Sequence, residues 1–427
     1  MNRKILYLFL SWLLLVMASA CQSGTAKTTA GITSGGRPTT DAGKTGTLPA
    51  VWGFDDEDDA GRPADPLLGW LWQYGRESYY IIHRSERMPD PIKIGTTILA
   101  KNGNATQTTR NADGSTTTMV SGNSSWKAFI NGTTEAEKVA SLPTAVHETL
   151  HGYTTRFPLA QLAARHKSVT EIAVPDPERP GYIRIPGYYA FYTGRDTTLV
   201  SLMGKATAAG EIAARVPHNL RTLRFATYVY PSNGAQSTQN SGIHGLIDEY
   251  NAYYWSLRTA YDLFGYYRDR KAGDPAAIKA WLSEIAGVYG SWAEFRYWIL
   301  VALEHARERY PDRYQALLAD ATLRKAFTAI DDNWLALFGR VRERLVKEVP
   351  QLLQKKNIAT GFIERAVPTD RNLPGTWFRV GQTLIYLGDR QLRLLVPVMQ
   401  QKKYVDLATA LRTKAAGPLP AALPTGP

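Results

Sequence analysis

A chain of 427 residues with one cysteine has no internal disulfide, and it is long enough for one large core or for two subdomains around a cleft. Its 50 Lys and Arg against 38 Asp and Glu leave a net charge of +12. The basic residues are scattered and accompany no nucleic-acid-binding motif, which argues against a nucleic acid partner; the excess suits anionic lipid headgroups or acidic surface polymers.

In chain order, Arg3 and Lys4 precede an apolar run from Ile5 to Met17. That run is too short for an ordinary membrane span and right for the core of a secretion signal. Ala18-Ser19-Ala20-Cys21 resembles the lipobox of bacterial lipoproteins, which implies cleavage before Cys21 and lipid attachment to it. Gln22 stands where Asp is associated with inner-membrane retention, so the resemblance implies the outer membrane of a two-membrane envelope. Such an anchor holds a protein on a membrane surface rather than through it. Residues 1–20 are thus a signal peptide and 21–62 a flexible tether, because Gln22–Pro49 is rich in Gly, Ser, Thr and Ala and cannot bury a core. The acid run Asp55–Asp59 reads as a solvated loop without EF-hand spacing. Residues 414–427, rich in Pro, Ala and Gly, read as an unstructured tail.

Residues 63–413 read as one α+β unit with a subdomain division near 155–245. Tyr79–His83, Ile92–Lys101 and Thr106–Val120 have strand character, and Asp113-Gly114 reads as a hairpin turn. Thr133–Val146 reads as a helix, capped by Thr133 or Thr134, with Glu135 and Glu137 in its first turn. Pro143 either kinks that helix or starts a new one. Tyr182–Val200 is partly extended. From Gly245 onward helices are expected over Leu246–Arg270, Pro275–Tyr289, Ser291–Tyr310, Asp312–Leu318, Leu323–Glu348 and Arg390–Arg412. Arg340, Arg342, Arg344 and Lys347, interleaved with Glu343 and Glu348, read as a solvated helix face.

One segment carries chemistry. His147-Glu148-Thr149-Leu150-His151 has the pattern H-E-x-x-H. On a helix, positions i and i+4 share a face, so His147 and His151 point two imidazoles at one ion. Glu148 lies about 100° round from His147, within reach of a water at that ion. The residues around the pattern, Thr144 to Val146 and Gly152-Tyr153, are uncharged, as a helix set against a core requires.

On these residues the chain resembles the zincin metallopeptidases. The resemblance is local to the motif and a short stretch after it. It implies a zinc ion, a water polarised by it, Glu148 as general base and a peptide or protein substrate. It also implies a zincin-like layout: a small N-terminal region of mixed strands, the zinc helix, then a mainly helical C-terminal region. The metzincin extension is absent, since Thr154 and Phe157 occupy the positions of its Gly and His.

In the glutamate-liganded branch the third ligand comes from a downstream helix, and Glu249 is the best candidate. An acid inside the aromatic and apolar stretch Leu246–Trp255 is costly to bury unless paired or metal-bound. Where thermolysin-like members carry an orienting Asp four residues later, this chain has Tyr253. Asp248 either takes over the orienting role or is itself the ligand. Tyr253, Tyr254, His244 and Tyr153 are candidate oxyanion donors. An edge strand for the substrate is expected before the zinc helix, at Ile92–Lys101 or Thr116–Val120.

The reading that follows is a zinc peptidase tethered to the cell envelope, with the stem peptide of peptidoglycan among its possible substrates. The competing reading is a non-catalytic surface lipoprotein that binds peptide or glycan beside a degenerate metal site.

Overall fold

Side chains cap the helix starts at Asp65, Thr134 and Asp274, each accepting backbone N–H groups of the first turn. In the computed structural model, which describes residues 51–52, 61–101, 105–110, 116–121, 125–175, 183–194, 197–204, 207, 209–230, 238, 241–270, 274–354, 356–363 and 377–412, the first helix, α1 (Pro66–Tyr74), begins where the Asp65 carboxylate accepts the N–H groups of Leu67 and Leu68. The signal peptide, Cys21, the acid run Asp55–Asp59, the Asp113-Gly114 turn and the tail 414–427 lie outside the described residues, as does almost all of the tether. Helix α2 (Arg76–Glu86) follows at once. It overturns the strand expected at Tyr79–His83: the buried residues Ser78, Tyr79, Ile81 and Ile82 fall at helical spacing, which a short apolar window does not separate from alternation.

Ile92–Lys101 forms two strands rather than one. β2 (Ile92–Ile94) and β3 (Thr97–Ala100) fold back on each other through Gly95, whose φ of 57° is one that a side chain would resist. β4 (Ala105–Arg110) and β5 (Thr116–Ser121) make the expected hairpin, in register from Ala105 opposite Ser121 to Arg110 opposite Thr116.

Next comes the capping box. Thr134 accepts from the Glu137 N–H at 3.2 Å, and the Glu137 carboxylate accepts from the Thr134 N–H at 2.9 Å, starting α3 (Glu135–Ala140). The chain then starts afresh, with Pro143 in the first turn of the long helix α4 (Leu142–Arg165). After a short ladder of β6 (Val174–Pro175) with β7 (Ile183–Arg184), the strands β8 (Tyr188–Gly194) and β9 (Thr197–Leu202) pair antiparallel. β1 (Val51–Trp52) adds to the far edge of β9, giving the order β1-β9-β8.

The remainder is mainly helical: α5 (Ala209–Arg215), α6 (Phe225–Tyr228), α7 (Ile243–Asp262), α8 (Phe264–Arg270), α9 (Pro275–Tyr289), α10 (Ser291–Arg309), α11 (Pro311–Ala319) and α12 (Ala321–Gln354). A small antiparallel sheet of β10 (Thr360–Phe362), β11 (Trp377–Val380) and β12 (Thr383–Tyr386) precedes α13 (Asp389–Met399) and α14 (Lys402–Leu411). Leu246–Arg270 and Arg390–Arg412 are therefore each two helices, and α1 and the last sheet were not anticipated. Among the described residues no helix is long and apolar enough to cross a membrane.

Helix α7 is the axis of the core. α4, α9, α10, α12 and β8 all pack on it, and every residue from Ile243 to Leu257 is buried. Tyr250 of α7, Arg296 of α10 and Arg412 converge on the buried carboxylate of Asp331 in α12, the first two at 2.8 and 2.9 Å. An acid at the centre of such a helix needs a comparable set of partners.

Candidate metal centre

The packing of α4 on α7 brings His147, His151 and Glu249 into one cluster. The two histidines are one turn apart on α4, and their Nε2 atoms approach to 3.1 Å. Glu249 faces both from α7: its Oε2 is 3.5 Å from His147 Nε2, and its Oε1 is 3.6 Å from His151 Nε2. These separations are long for hydrogen bonds, and both Glu249 oxygens are buried with no hydrogen-bond partner among the described residues. Donor atoms about 2.0–2.1 Å from a shared tetrahedral ion lie about 3.3 Å from one another, so the spacing fits a metal ion. Relative exposures of 1% for His147, 5% for His151 and 0% for Glu249 make a carboxylate with only these long contacts costly to bury, which the same ion would relieve. This is the one group of metal-binding side chains among the described residues that can hold an ion.

Protonation follows the same pattern. Burial lowers the pKa of His147 against the pull of Glu249 and favours the neutral imidazole. Burial alone would raise Glu249, but His151 and then His147 outweigh it and hold the carboxyl at about 2. Neutral imidazole and ionised carboxylate are the forms that bind metal. Glu148, also buried, is pushed up to about 8 by desolvation; interaction with His151 opposes the rise, and the charges of Glu249 and Asp248 add to it.

Asp248 faces the outer side of His151. Its Oδ2 accepts from His151 Nδ1 at 2.7 Å, and its Oδ1 accepts the Thr154 hydroxyl at 2.8 Å. With its proton on Nδ1, a neutral His151 carries its lone pair on Nε2, toward Glu249 and His147. Glu249 is thus the acid grouped with the two histidines, and Asp248 lies outside that group, against the far nitrogen of His151. Thr154 was missed in the sequence, although it sits one helical turn after His151 and shares its face.

The oxyanion candidates separate. The Tyr253 ring meets the His147 ring edge-on at 4.6 Å, and its hydroxyl is bonded to that of Tyr228 at 2.9 Å, so Tyr253 is a wall of the site. Tyr254 packs on Trp255 and Trp334, toward α12, and does not join the cluster. The Tyr153 hydroxyl bonds Thr198 at 2.7 Å. His244, buried near the start of α7, has Nε2 3.1 Å from Ser201 Oγ; that hydroxyl donates to Asp320 at 2.6 Å, so His244 is the donor to Ser201. Burial takes its pKa down to about 4 despite the opposing charge of Asp320. Tyr189 on β8, unremarked in the sequence, lies close enough to Asp248, His151 and Glu249 for their charges to act on it. Burial raises its pKa strongly, and its hydroxyl donates to Ser241 at 2.7 Å.

Of the two strands expected beside the motif, Ile92–Lys101 lies elsewhere. β2 and β3 cluster with Leu162 and Ile172, toward the C-terminal end of α4. The strand packed on the motif region is β8, through Tyr192 against Tyr153, and it follows the helix in sequence. Compared with known protein families, with curated proteins and with solved structures, the chain matches none of them.

Proposed function

We propose that this chain is a zinc-dependent peptidase tethered to the bacterial cell envelope. The observation that carries the reading is the buried meeting of His147, His151 and Glu249, with Glu148 beside His147 on the same helix. Two imidazoles and one carboxylate suit zinc better than magnesium or calcium, which favour all-oxygen sites. His147, His151 and Glu249 would hold the ion and would leave room on it for a water. A zinc ion held there supplies a Lewis acid and a water acidic enough to react at neutral pH.

The chain's own groups do the rest. Glu148 accepts a proton from the attacking water on a carboxylate oxygen and delivers it to the departing amine nitrogen. Burial pushes Glu148 up to about 8, and a bound cation would favour its ionised form, the form a base needs. Asp248 fixes the tautomer of His151, and Thr154 fixes Asp248. The substrate class is peptide or protein; with the lipobox-like sequence at Cys21 placing the chain in the envelope, the peptide stems of peptidoglycan belong to that class.

The test is zinc content and hydrolysis of a mixed peptide library by the full chain in detergent, wild type beside Glu148→Gln. We expect about one zinc in each protein and turnover in the wild type alone. A wild type that takes up no zinc on metal addition overturns the reading and favours a surface-binding lipoprotein. Retained turnover in Glu148→Gln removes Glu148 as the base.

A further inference from the structure

His151 has Asp248 to hold its ring, whereas His147 has a different neighbour. Tyr253, one turn after Glu249 on α7, sets its ring edge-on to His147 at 4.6 Å with 77° between the planes. Tyr253 is itself held from three sides. Its hydroxyl bonds Tyr228, its face stacks on Phe295 at 5.1 Å, and the guanidinium of Arg224 lies 4.8 Å from its ring centroid.

Arg224 is buried, and its Nη1 donates to Glu294 at 2.7 Å. Its Nε has no hydrogen-bond acceptor among the described residues, and its guanidinium lies over the ring of Tyr253. Burying a cation and an anion this far from water is costly unless their geometry is closely satisfied. Here it fixes the orientation of a side chain that touches a candidate metal ligand.

We propose that Tyr253, locked by the Arg224–Glu294 pair, is the positioning residue for His147, as Asp248 is for His151. The inference rests on the metal-site reading. It assigns Tyr253 a role by ring packing and none as a hydrogen-bond donor to substrate.

The experiment is a Zn²⁺ competition titration with a chromogenic chelator on the full chain, with the melting temperature of the metal-free protein measured in parallel. Tyr253→Leu, which removes the ring, is expected to weaken Zn²⁺ by about 10- to 100-fold. Tyr253→Phe keeps the ring and should stay within about threefold of wild type. Replacing both ions, Arg224→Met with Glu294→Leu, keeps an apolar core and should weaken Zn²⁺ by about tenfold. The double variant supplies the measurement should Tyr253→Leu fail to fold. The Co²⁺-loaded protein gives a second readout: its visible absorption should shift in Tyr253→Leu and not in Tyr253→Phe.

Undiminished Zn²⁺ affinity in Tyr253→Leu, or in the double variant, overturns the inference even if melting falls, because a purely structural role predicts that result. A wild type that binds no Zn²⁺ overturns the metal reading and this inference together. A wild type that binds, beside a Leu variant that binds equally, removes this inference alone.

Discussion

Replacing Asp248 by Ala takes away one acceptor group from two buried donors. His151 Nδ1 loses a partner at 2.7 Å and the Thr154 hydroxyl one at 2.8 Å, at residues less than a tenth exposed. A hydrogen bond to a charged acceptor contributes about 1.5–3 kcal/mol. If the His151 term is felt mainly in how well Nε2 is presented to the ion, that range converts to roughly 10- to 150-fold in Zn²⁺ affinity at about 1.4 kcal/mol per decade. Asp248→Asn has the same shape but offers one oxygen to the two donors and removes the charge; about tenfold is expected, at the low end. The assay is the same chelator competition, with folding checked by near-ultraviolet circular dichroism. An Asp248→Ala protein that is folded and binds Zn²⁺ like wild type would refute the orienting role. A loss as complete as that of Glu249→Ala would make Asp248 the ligand instead.

Three further outcomes are expected. Glu249→Gln, similar in volume but uncharged, should lose Zn²⁺ by more than about 100-fold, while His147 and His151 remain; near-normal binding would mean the two histidines suffice. His244 titrates near 6.5 unfolded and about 4 folded, so between those values the unfolded chain binds the extra proton. Its contribution is therefore complete above about pH 6.5 and is lost as pH falls toward 4, by about 3 kcal/mol in all. Denaturant unfolding of metal-free wild type and His244→Gln across that range measures this, and equal pH slopes would exclude it. Cys21→Ser should move the protein from the membrane fraction to the soluble one; retention in the membrane rules out lipid anchoring at that residue.

Much of the site was legible because its signals are local or thermodynamic. The spacing of His147 and His151 puts two imidazoles on one helical face whatever the fold. Glu249 stood out because an acid within an aromatic helix demands a partner. Asp248 could not be separated from Glu249 by sequence, since adjacent helical positions point about 100° apart and only the placement of α4 decides which meets the ion. Tyr253 was singled out as an oxyanion candidate and Tyr189 was hidden among 23 tyrosines; where each points depends on contacts with α6, α10 and the loop at Ser241. Capping chemistry marked the start of α3, with Thr133 and Thr134 both open as the cap, and left a kink and a restart open at Pro143; the structure has the restart, so Thr133–Val146 is two helices. Capping could not place β8 beside the motif, because the expected order of strand and helix came from the family resemblance. The short strands β10, β11 and β12 escaped notice because two of them are separated by residues 363–376 and each spans only a few positions.

Surface helices imprint a 3.6-residue rhythm on a map of tolerated substitutions, because one face is free to drift. Helix α7 has no such face from Ile243 to Leu257. A saturation scan scored on folding or abundance would find that stretch an unbroken block, in which Asp248 and Glu249 look no more constrained than Leu246 or Ile247 beside them. Mutational tolerance would thus conceal the centre, and only a score that reads bound metal would separate the ligand from the packing around it.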